Sequence, residues 1–119
     1  MKNLNFDKFL QNYRGLEDIV PTIVDSFLQH KESLLKNLED SITERDFIKI
    51  ERAAHTIKGS VSNFYAEIIM NAAKEIEMFA KLQNLSEVQL KFKQLQPLYS
   101  SFCADLKLEL ENYLRKAAG

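Results

Sequence analysis

The residues whose types and spacing best suit a chemical reaction are His55, Lys58 and Gly59. Lys58 and Gly59 lie three and four positions after His55. On a helix this spacing brings them onto neighbouring turns of one surface. A neutral imidazole nitrogen is a nucleophile, and an adjacent ammonium can neutralise an incoming anion as a point charge. Glycine in mid-helix costs about 1 kcal/mol relative to alanine, so Gly59 needs a reason, and clearance for another protein's active site is one. The set suits phosphoryl transfer onto the imidazole.

A seam of apolar residues predicts the helix that must carry this set. Apolar side chains recur at alternating spacings of three and four, as they do in a helical bundle, and Asp46 is a suitable N-cap in front of them. The seam consists of Phe47, Ile50, Ala54, Ile57, Val61 and Phe64. On a helical wheel with ~100° per residue, His55 falls roughly 130° from the centre of the seam. The imidazole is therefore predicted to face solvent.

Two amphipathic segments precede this helix. A short first helix is predicted from Leu4 to Tyr13, and Gly15 is predicted to end it. A second helix is predicted to begin near Glu17, with Pro21 tolerated in its first turn. Its apolar residues recur as one face of a helix does. They are Val20, Val24, Phe27, Leu34, Leu38 and Ile42.

Two more helices are predicted after the seam. One runs from about Ala66 to Lys81, and its inward residues are Ile69, Ala72, Ala73, Ile76 and Phe79 or Ala80. The last is predicted to be capped by Ser86, with Glu87 behind it. Its apolar register passes through Pro97 unbroken, so one kinked helix is predicted there. Four long helices with short connections predict an all-α fold, an antiparallel four-helix bundle with a short extra N-terminal helix.

Length and composition limit the class of protein. The chain has 119 residues, of which 45% are hydrophobic, and we expect a single helical domain over residues 1–119. The 16 basic and 17 acidic residues leave a net charge of −1, without the basic stripe of a nucleic-acid-binding protein. No apolar run approaches the ~18 residues that cross a membrane. We therefore expect a cytoplasmic protein with neither nucleic-acid nor membrane partners.

Several other chemistries lack their sequence signatures. The three glycines cannot form a GxGxxG motif or a P-loop, so neither nucleotide binding nor ATP-dependent kinase activity is expected. The two histidines and Cys103 lie too far apart in sequence to suggest a zinc site. As the only cysteine, Cys103 cannot form an internal disulfide, and we interpret it as a buried structural thiol in a reducing compartment. His30 is interpreted as a boundary residue on the second helix without a chemical role.

The sequence also resembles the histidine-containing phosphotransfer (HPt) domain family. Residues 53–60 read A-A-H-T-I-K-G-S and are similar to the family's A-A-H-T-L-K-G-S motif. Phe27 and Leu28 resemble the apolar pair that precedes the active helix in that family. The spacing from the motif to Ile69, Ile76 and Glu77 resembles the family's L-x-x-x-x-x-x-L-E run. The resemblance covers about residues 5 to 110 in one block and in order.

The resemblance implies a role for each residue of the set. His55 would be the phospho-acceptor, Lys58 the phosphate-side cation, and Gly59 the residue that leaves clearance for a partner. Glu77 falls where the family often places Glu or Gln near the imidazole. The chain departs from the family pattern at Tyr65, where many relatives have a small residue, usually Gly. The sequence leaves open how Tyr65 affects the turn between the third and fourth helices.

By the same resemblance, the chain is expected to be a phosphorelay intermediate, a phosphotransfer protein rather than a true enzyme. The phospho-aspartate of a receiver domain would donate to Nε2 of His55, and the aspartate of a second receiver would take the group. The implied partners are response-regulator receiver domains and a hybrid sensor kinase, and a monomer is expected. The chain would hold no cofactor, because the receiver would supply Mg²⁺. A free-standing protein and a domain of a hybrid kinase would share this sequence pattern.

Two alternatives stay open from the sequence alone. The first is a module of the same fold that docks on receivers without carrying phosphate. The second is a purely structural helical bundle or oligomerisation module, in which a change at His55 would alter nothing but surface charge.

Overall fold

The computed structural model describes residues 3–119, and within that range all regular structure is helical. Five α-helices follow one another in this part of the chain, and a single 3₁₀ turn at Glu17–Ile19 precedes the second. The helices are α1 Phe6–Gln11, α2 Val20–Thr43, α3 Phe47–Ser62, α4 Glu67–Lys81 and α5 Leu85–Ala118.

Helices α2 to α5 form the antiparallel four-helix bundle that the sequence predicts. Each packs against its neighbour along the chain, and α5 returns against α2 to close the bundle. In the core, the rings of Phe27, Phe64 and Phe102 meet with centroids 5.5 to 6.1 Å apart. Ring pairs of this kind add about 0.5–1.5 kcal/mol each beyond the burial of their area. The cluster ties the end of α3 to α2 and α5, and so helps to fix which face α3 turns outward.

The start and the inner face of α3 agree with the sequence prediction. Asp46 is its N-cap, and the Asp46 side chain accepts a hydrogen bond from the backbone N–H of Lys49 at 3.1 Å. The seam residues within the helix that are completely buried are Ile50, Ala54, Ile57 and Val61. Phe47, in the first turn, is only partly buried.

The first helix is shorter than predicted at both ends. It begins at Phe6 because the side-chain oxygen of Asn5 accepts the backbone N–H of Lys8 at 3.0 Å and caps the helix there. It ends at Gln11, so Gly15 lies in the following loop rather than at the helix terminus. The second helix also begins slightly late, at Val20, because the residues from position 17 form a separate 3₁₀ turn.

The predicted cap of the last helix is wrong. Asn84, rather than Ser86, is the N-cap, and its side-chain oxygen accepts the backbone N–H of Glu87 at 3.2 Å. The hydroxyl of Ser86 donates to the same oxygen at 3.1 Å, so Ser86 supports the cap from inside the helix. Beyond this start, α5 runs through Pro97 as one helix, as predicted.

The three turns between the long helices share one geometry. Each contains a residue with a left-handed backbone, namely Arg45, Tyr65 and Gln83, with φ of 57°, 58° and 54°. The N–H of that residue donates to the carbonyl three positions back, and the next N–H donates to the carbonyl five positions back. This is the Schellman motif, in which glycine usually fills the left-handed position because it has no Cβ. Tyr65 therefore adopts for itself the conformation that glycine favours.

Helix α1 holds the turn that contains Tyr65. The side-chain amide of Asn12 donates to the Tyr65 hydroxyl at 2.8 Å, and the Lys8 ammonium lies 4.7 Å from the centre of the Tyr65 ring. The backbone N–H of Asn5 donates to the carbonyl of Phe64 at 3.0 Å. These contacts compensate the unfavourable backbone of Tyr65.

Glycine substitutions at the three left-handed positions should separate backbone strain from side-chain contact. Gln83→Gly and Arg45→Gly should each raise the free energy of unfolding by up to about 1 kcal/mol, because both side chains are exposed and glycine removes the Cβ clash. Tyr65→Gly should lower it, because the contacts with α1 are lost. Urea unfolding measures all three. Equal stabilisation by Tyr65→Gly would show that the contacts of Tyr65 with Asn12 and Lys8 do not compensate its backbone.

Candidate functional site

Helix α3 presents His55 on its outer face, as the seam predicts. Ala54 and Ile57, on either side of it in the sequence, are completely buried, whereas the His55 side chain is 69% exposed. The imidazole is therefore open to a second protein without any movement of the bundle.

Helix α4 brings a carboxylate to this face from the neighbouring helix. Glu77 follows the buried Ile76, and its side chain is only 11% exposed. The antiparallel packing of α3 and α4 sets its position, and a second contact between the two helices, Lys81 to Glu51 at 3.7 Å, lies one turn along. Glu77 is thus a nearly buried acid at the seam between the two helices.

One oxygen of Glu77 meets both other polar members of the set. Its Oε1 lies 2.8 Å from Nζ of Lys58 and 3.4 Å from Nδ1 of His55. This oxygen is enclosed, and neither contact has the alignment of a well-formed hydrogen bond. The sequence prediction that Glu77 lies near the imidazole agrees with this geometry, and the contact with Lys58 adds to it.

The charges around Glu77 outweigh its burial. Burial acts to raise the pKa of the Glu77 carboxyl, but the Lys58 ammonium and, to a smaller extent, the His55 ring hold that pKa below its usual value of 4.5. Glu77 is therefore ionised at neutral pH. A buried carboxylate of this kind needs its cationic partners in place.

The orientation of the ring leaves one nitrogen available. Nδ1 of His55 faces the carboxylate of Glu77. The negative charge of that carboxylate favours the tautomer with the proton on Nδ1. In that tautomer Nε2 keeps its lone pair and lies on the opposite side of the ring. The arrangement can perform nucleophilic attack at Nε2 on an electrophile that approaches from solvent.

Gly59 is not required by the packing of the fold. A Cβ built at this position would have no atom within 4 Å, and the residue is exposed. Since nothing inside the bundle excludes a side chain there, the open space lies on the outer surface, one turn after His55.

The region around these residues matches a known sequence pattern, that of the Hpt domain, over residues 22–116. The matched range contains His55, Lys58, Gly59 and Glu77, and it covers most of the bundle. This chain belongs to the Hpt domain family. The resemblance noted in the sequence is thereby confirmed.

One curated protein is related to this Hpt domain in sequence. Histidine-containing phosphotransfer protein 1 of Arabidopsis thaliana is 29% identical over 84 residues, which are 69% of this chain and 54% of that protein. The chain therefore spans about half the length of this curated relative.

Two solved structures share the fold. Histidine-containing phosphotransfer protein B of Pseudomonas aeruginosa superposes with a TM-score of 0.85 at 23% identity, covering 93% of this chain and 96% of that one. The HPT domain of a sensor hybrid histidine kinase from Shewanella gives a TM-score of 0.78 at 14% identity, covering 92% and 95%. At these identities the likeness establishes the fold, and membership of the family supports a phosphorelay role in general terms.

Three exposed apolar side chains lie on the same two helices as His55 and Glu77, and the sequence analysis does not predict a role for them. Ile48 lies seven residues before His55 on the same face of α3, and it is 64% exposed. Met78 and Leu82 follow Glu77 in the sequence and are 47% and 66% exposed. The available signal was their position off the apolar face of each helix.

The remaining candidates of the Hpt domain lie apart from this site. His30 is on α2, where its Nδ1 lies 2.7 Å from the backbone carbonyl of Ser26 in its own helix. Cys103 is buried in α5, and burial raises the pKa of its thiol to about 11, so it stays protonated. The burial of Cys103 agrees with the prediction from the sequence.

Residues 3–119 contain neither a cluster of metal ligands nor a helix that could span a membrane. No group of three or more His, Cys, Asp and Glu side chains converges there as metal ligands. No helix in that range is both long and apolar enough to span a bilayer.

The charge contact of Glu77 should make stability depend on pH. Because its folded-state pKa is depressed, the ionised carboxylate stabilises the fold above about pH 4.5, and this contribution is lost as the pH falls through the folded-state pKa. Glu77→Gln should lower the free energy of unfolding by about 1 kcal/mol at pH 7. Urea unfolding of parent and variant from pH 7 to pH 3 should show the difference shrinking. A difference that stays constant across this range would contradict the assignment.

Proposed function

We propose that this Hpt domain is a phosphorelay intermediate that carries a phosphoryl group on His55. A receiver domain's phospho-aspartate donates the group, and the aspartate of a second receiver takes it. The observation that carries the proposal is the imidazole itself, which is exposed to solvent with Nδ1 turned toward a buried carboxylate and with Lys58 beside it. Family membership supports the same conclusion.

The transfer step follows from the orientation of the ring. The lone pair of Nε2 attacks phosphorus, and a P–N bond forms as the bond between phosphorus and the aspartate oxygen breaks. That oxygen leaves with the electron pair as a carboxylate. Nδ1 keeps its proton, so the positive charge that develops on the ring faces Glu77. Transfer to the second receiver reverses these bond changes.

The surface around His55 suits a receiver. The open space at Gly59 admits the rim of a partner's active site, and Ile48, Met78 and Leu82 offer apolar contact area on the same two helices. The partner brings its own acidic cluster and Mg²⁺. A hybrid sensor kinase that contains a receiver is a suitable donor, and a response regulator is a suitable acceptor.

Two rival functions make different predictions. A receiver-binding module without phosphate would bind a receiver but take up no phosphoryl group. A purely structural bundle would do neither. The exposed imidazole of His55, with the carboxylate of Glu77 and the ammonium of Lys58 beside it, favours the phosphorelay function over both rivals. Neither rival needs that arrangement.

Replacement of His55 tests the proposal directly. With a phosphorylated receiver and Mg²⁺, the parent chain should take up one phosphoryl group that is labile in acid and stable in alkali, as a phosphoramidate is. His55→Gln should take up none, although it should unfold at nearly the parent's urea concentration, because the side chain is solvent-facing and the pair of Glu77 with Lys58 is kept. Labelled phosphate and acid treatment measure the uptake.

His30→Gln is the matched control, since it removes the other histidine of the chain. It should accept phosphate as the parent does. Acid-labile label on the His55→Gln variant would move the acceptor elsewhere, and a parent that accepts none from any receiver of its own cell would favour the structural or the purely binding rival.

A pair of variants at Gly59 tests the clearance argument. Gly59→Ala should stabilise the helix by up to about 1 kcal/mol, because a Cβ meets nothing and alanine is the better helix former. Gly59→Gln should also fold, but it should slow transfer by at least about tenfold, because its side chain obstructs the close approach of the receiver to His55. Melting temperature and transfer rate are measured for both. Transfer by Gly59→Gln at the parent's rate would show that clearance is irrelevant.

A further inference from the structure

The contact between Lys58 and Glu77 has a consequence for the phosphorylated state. In the structure, the Lys58 ammonium is not directed freely toward solvent. It lies 2.8 Å from Oε1 of Glu77, and its side chain is only 28% exposed. Before transfer, the cation that would neutralise a phosphoryl group is therefore already bound to a carboxylate.

A phosphoryl group on Nε2 of His55 must compete for this cation. Nδ1 faces Glu77, so Nε2 and its phosphoryl group lie on the other side of the ring. A doubly charged phosphoryl group attracts an ammonium more strongly than a single carboxylate does. When Lys58 moves to it, the enclosed Oε1 of Glu77 keeps only the His55 ring, whose Nδ1 lies 3.4 Å away, as a polar neighbour from the set.

We propose that Lys58 exchanges partners during the relay, from Glu77 before transfer to the phosphoryl group after it, and that Glu77 thereby limits how strongly Lys58 stabilises phospho-His55. The loss of the ion pair with Glu77 offsets part of the gain from the phosphoryl contact. Phospho-His55 is thus held less tightly and is passed on more readily. This inference rests on the proposed function, and it assigns Glu77 as a positioning residue that acts through Lys58.

A double-mutant cycle on the transfer equilibrium tests the exchange. Lys58→Ala removes the phosphoryl contact, but in the parent it also removes the pair with Glu77, so its two effects partly cancel. In a Glu77→Gln background only the phosphoryl contact is lost. Gln keeps an acceptor oxygen for Nδ1–H, so the variant removes the charge while preserving the orientation of the ring.

The quantity measured is the equilibrium constant for transfer from a phosphorylated receiver to the chain, with labelled phosphate. We expect Lys58→Ala to lower it by about threefold or less in the parent, and by about tenfold or more in the Glu77→Gln background. The two values differ because in the parent Lys58 has an ionic partner both before transfer (Glu77) and after it (the phosphoryl group). In the Glu77→Gln background Lys58 has an ionic partner only after transfer.

Glu75 and Lys91 provide a matched control. Their charged groups lie 2.9 Å apart and the Lys91 side chain is 24% exposed, so the pair matches that of Glu77 and Lys58 in distance and in the exposure of its lysine. The Glu75 side chain is more open, at 45% exposed, and the pair joins α4 to α5. Lys58→Ala in a Glu75→Gln background should lower the equilibrium constant by the same factor as in the parent.

The outcomes separate this inference from the proposed function. Equal effects of Lys58→Ala in the parent and in Glu77→Gln would overturn the exchange, while His55 would still carry phosphate. An effect that is smaller in Glu77→Gln than in the parent would overturn it as well. A parent that accepts no phosphoryl group from any receiver would overturn both.

Discussion

The site depends on a carboxylate that is nearly removed from water. Glu77 projects from α4 into the contact with α3, and its enclosed oxygen is compensated by an ammonium and an imidazole that both belong to α3. Without these partners the buried charge would destabilise the contact between the two helices. The interaction that orients the nucleophile is therefore also one that helps to join the helices, so site geometry and bundle stability are coupled.

The turns between the helices explain how this contact is kept in register. Because each turn satisfies the last carbonyls of one helix, and its final residue is already the N-cap residue of the next, few residues remain free to vary in conformation. The turn at Tyr65 joins the two helices that build the site, and α1 binds it from outside the bundle. A helix far from the imidazole thus contributes to the position of Glu77.

The sequence predicts those features that local periodicity determines. The seam of α3 and the exposure of His55 follow from spacings of three and four residues, and both were predicted with the right face outward. The start of α5 was predicted wrongly because Asn84 and Ser86 are both good cap residues, and only the actual turn decides between them. These two cases differ because periodicity averages over many residues, whereas a cap depends on one.

Features that depend on packing between distant segments cannot be predicted from local patterns in the sequence. The distance from Glu77 to Lys58 depends on the rotation of α4 against α3, which no local pattern specifies. Likewise, Tyr65 tolerates a left-handed backbone because Asn12, 53 positions earlier in the chain, bonds to its hydroxyl. The resemblance to the family places Glu77 near the imidazole, but it does not reveal that one oxygen contacts both the ammonium of Lys58 and the ring of His55.

The position of α1 bears on where this domain begins. The family pattern starts at residue 22, inside α2, yet Phe9 of α1 is completely buried and packs on Phe64 with ring centroids 4.9 Å apart. A chain trimmed to the matched range would leave part of an aromatic surface uncovered at the end of the bundle, and such surfaces favour aggregation. The cooperative folding unit is therefore larger than the unit that sequence similarity recognises, and boundaries chosen for expression should include the first helix.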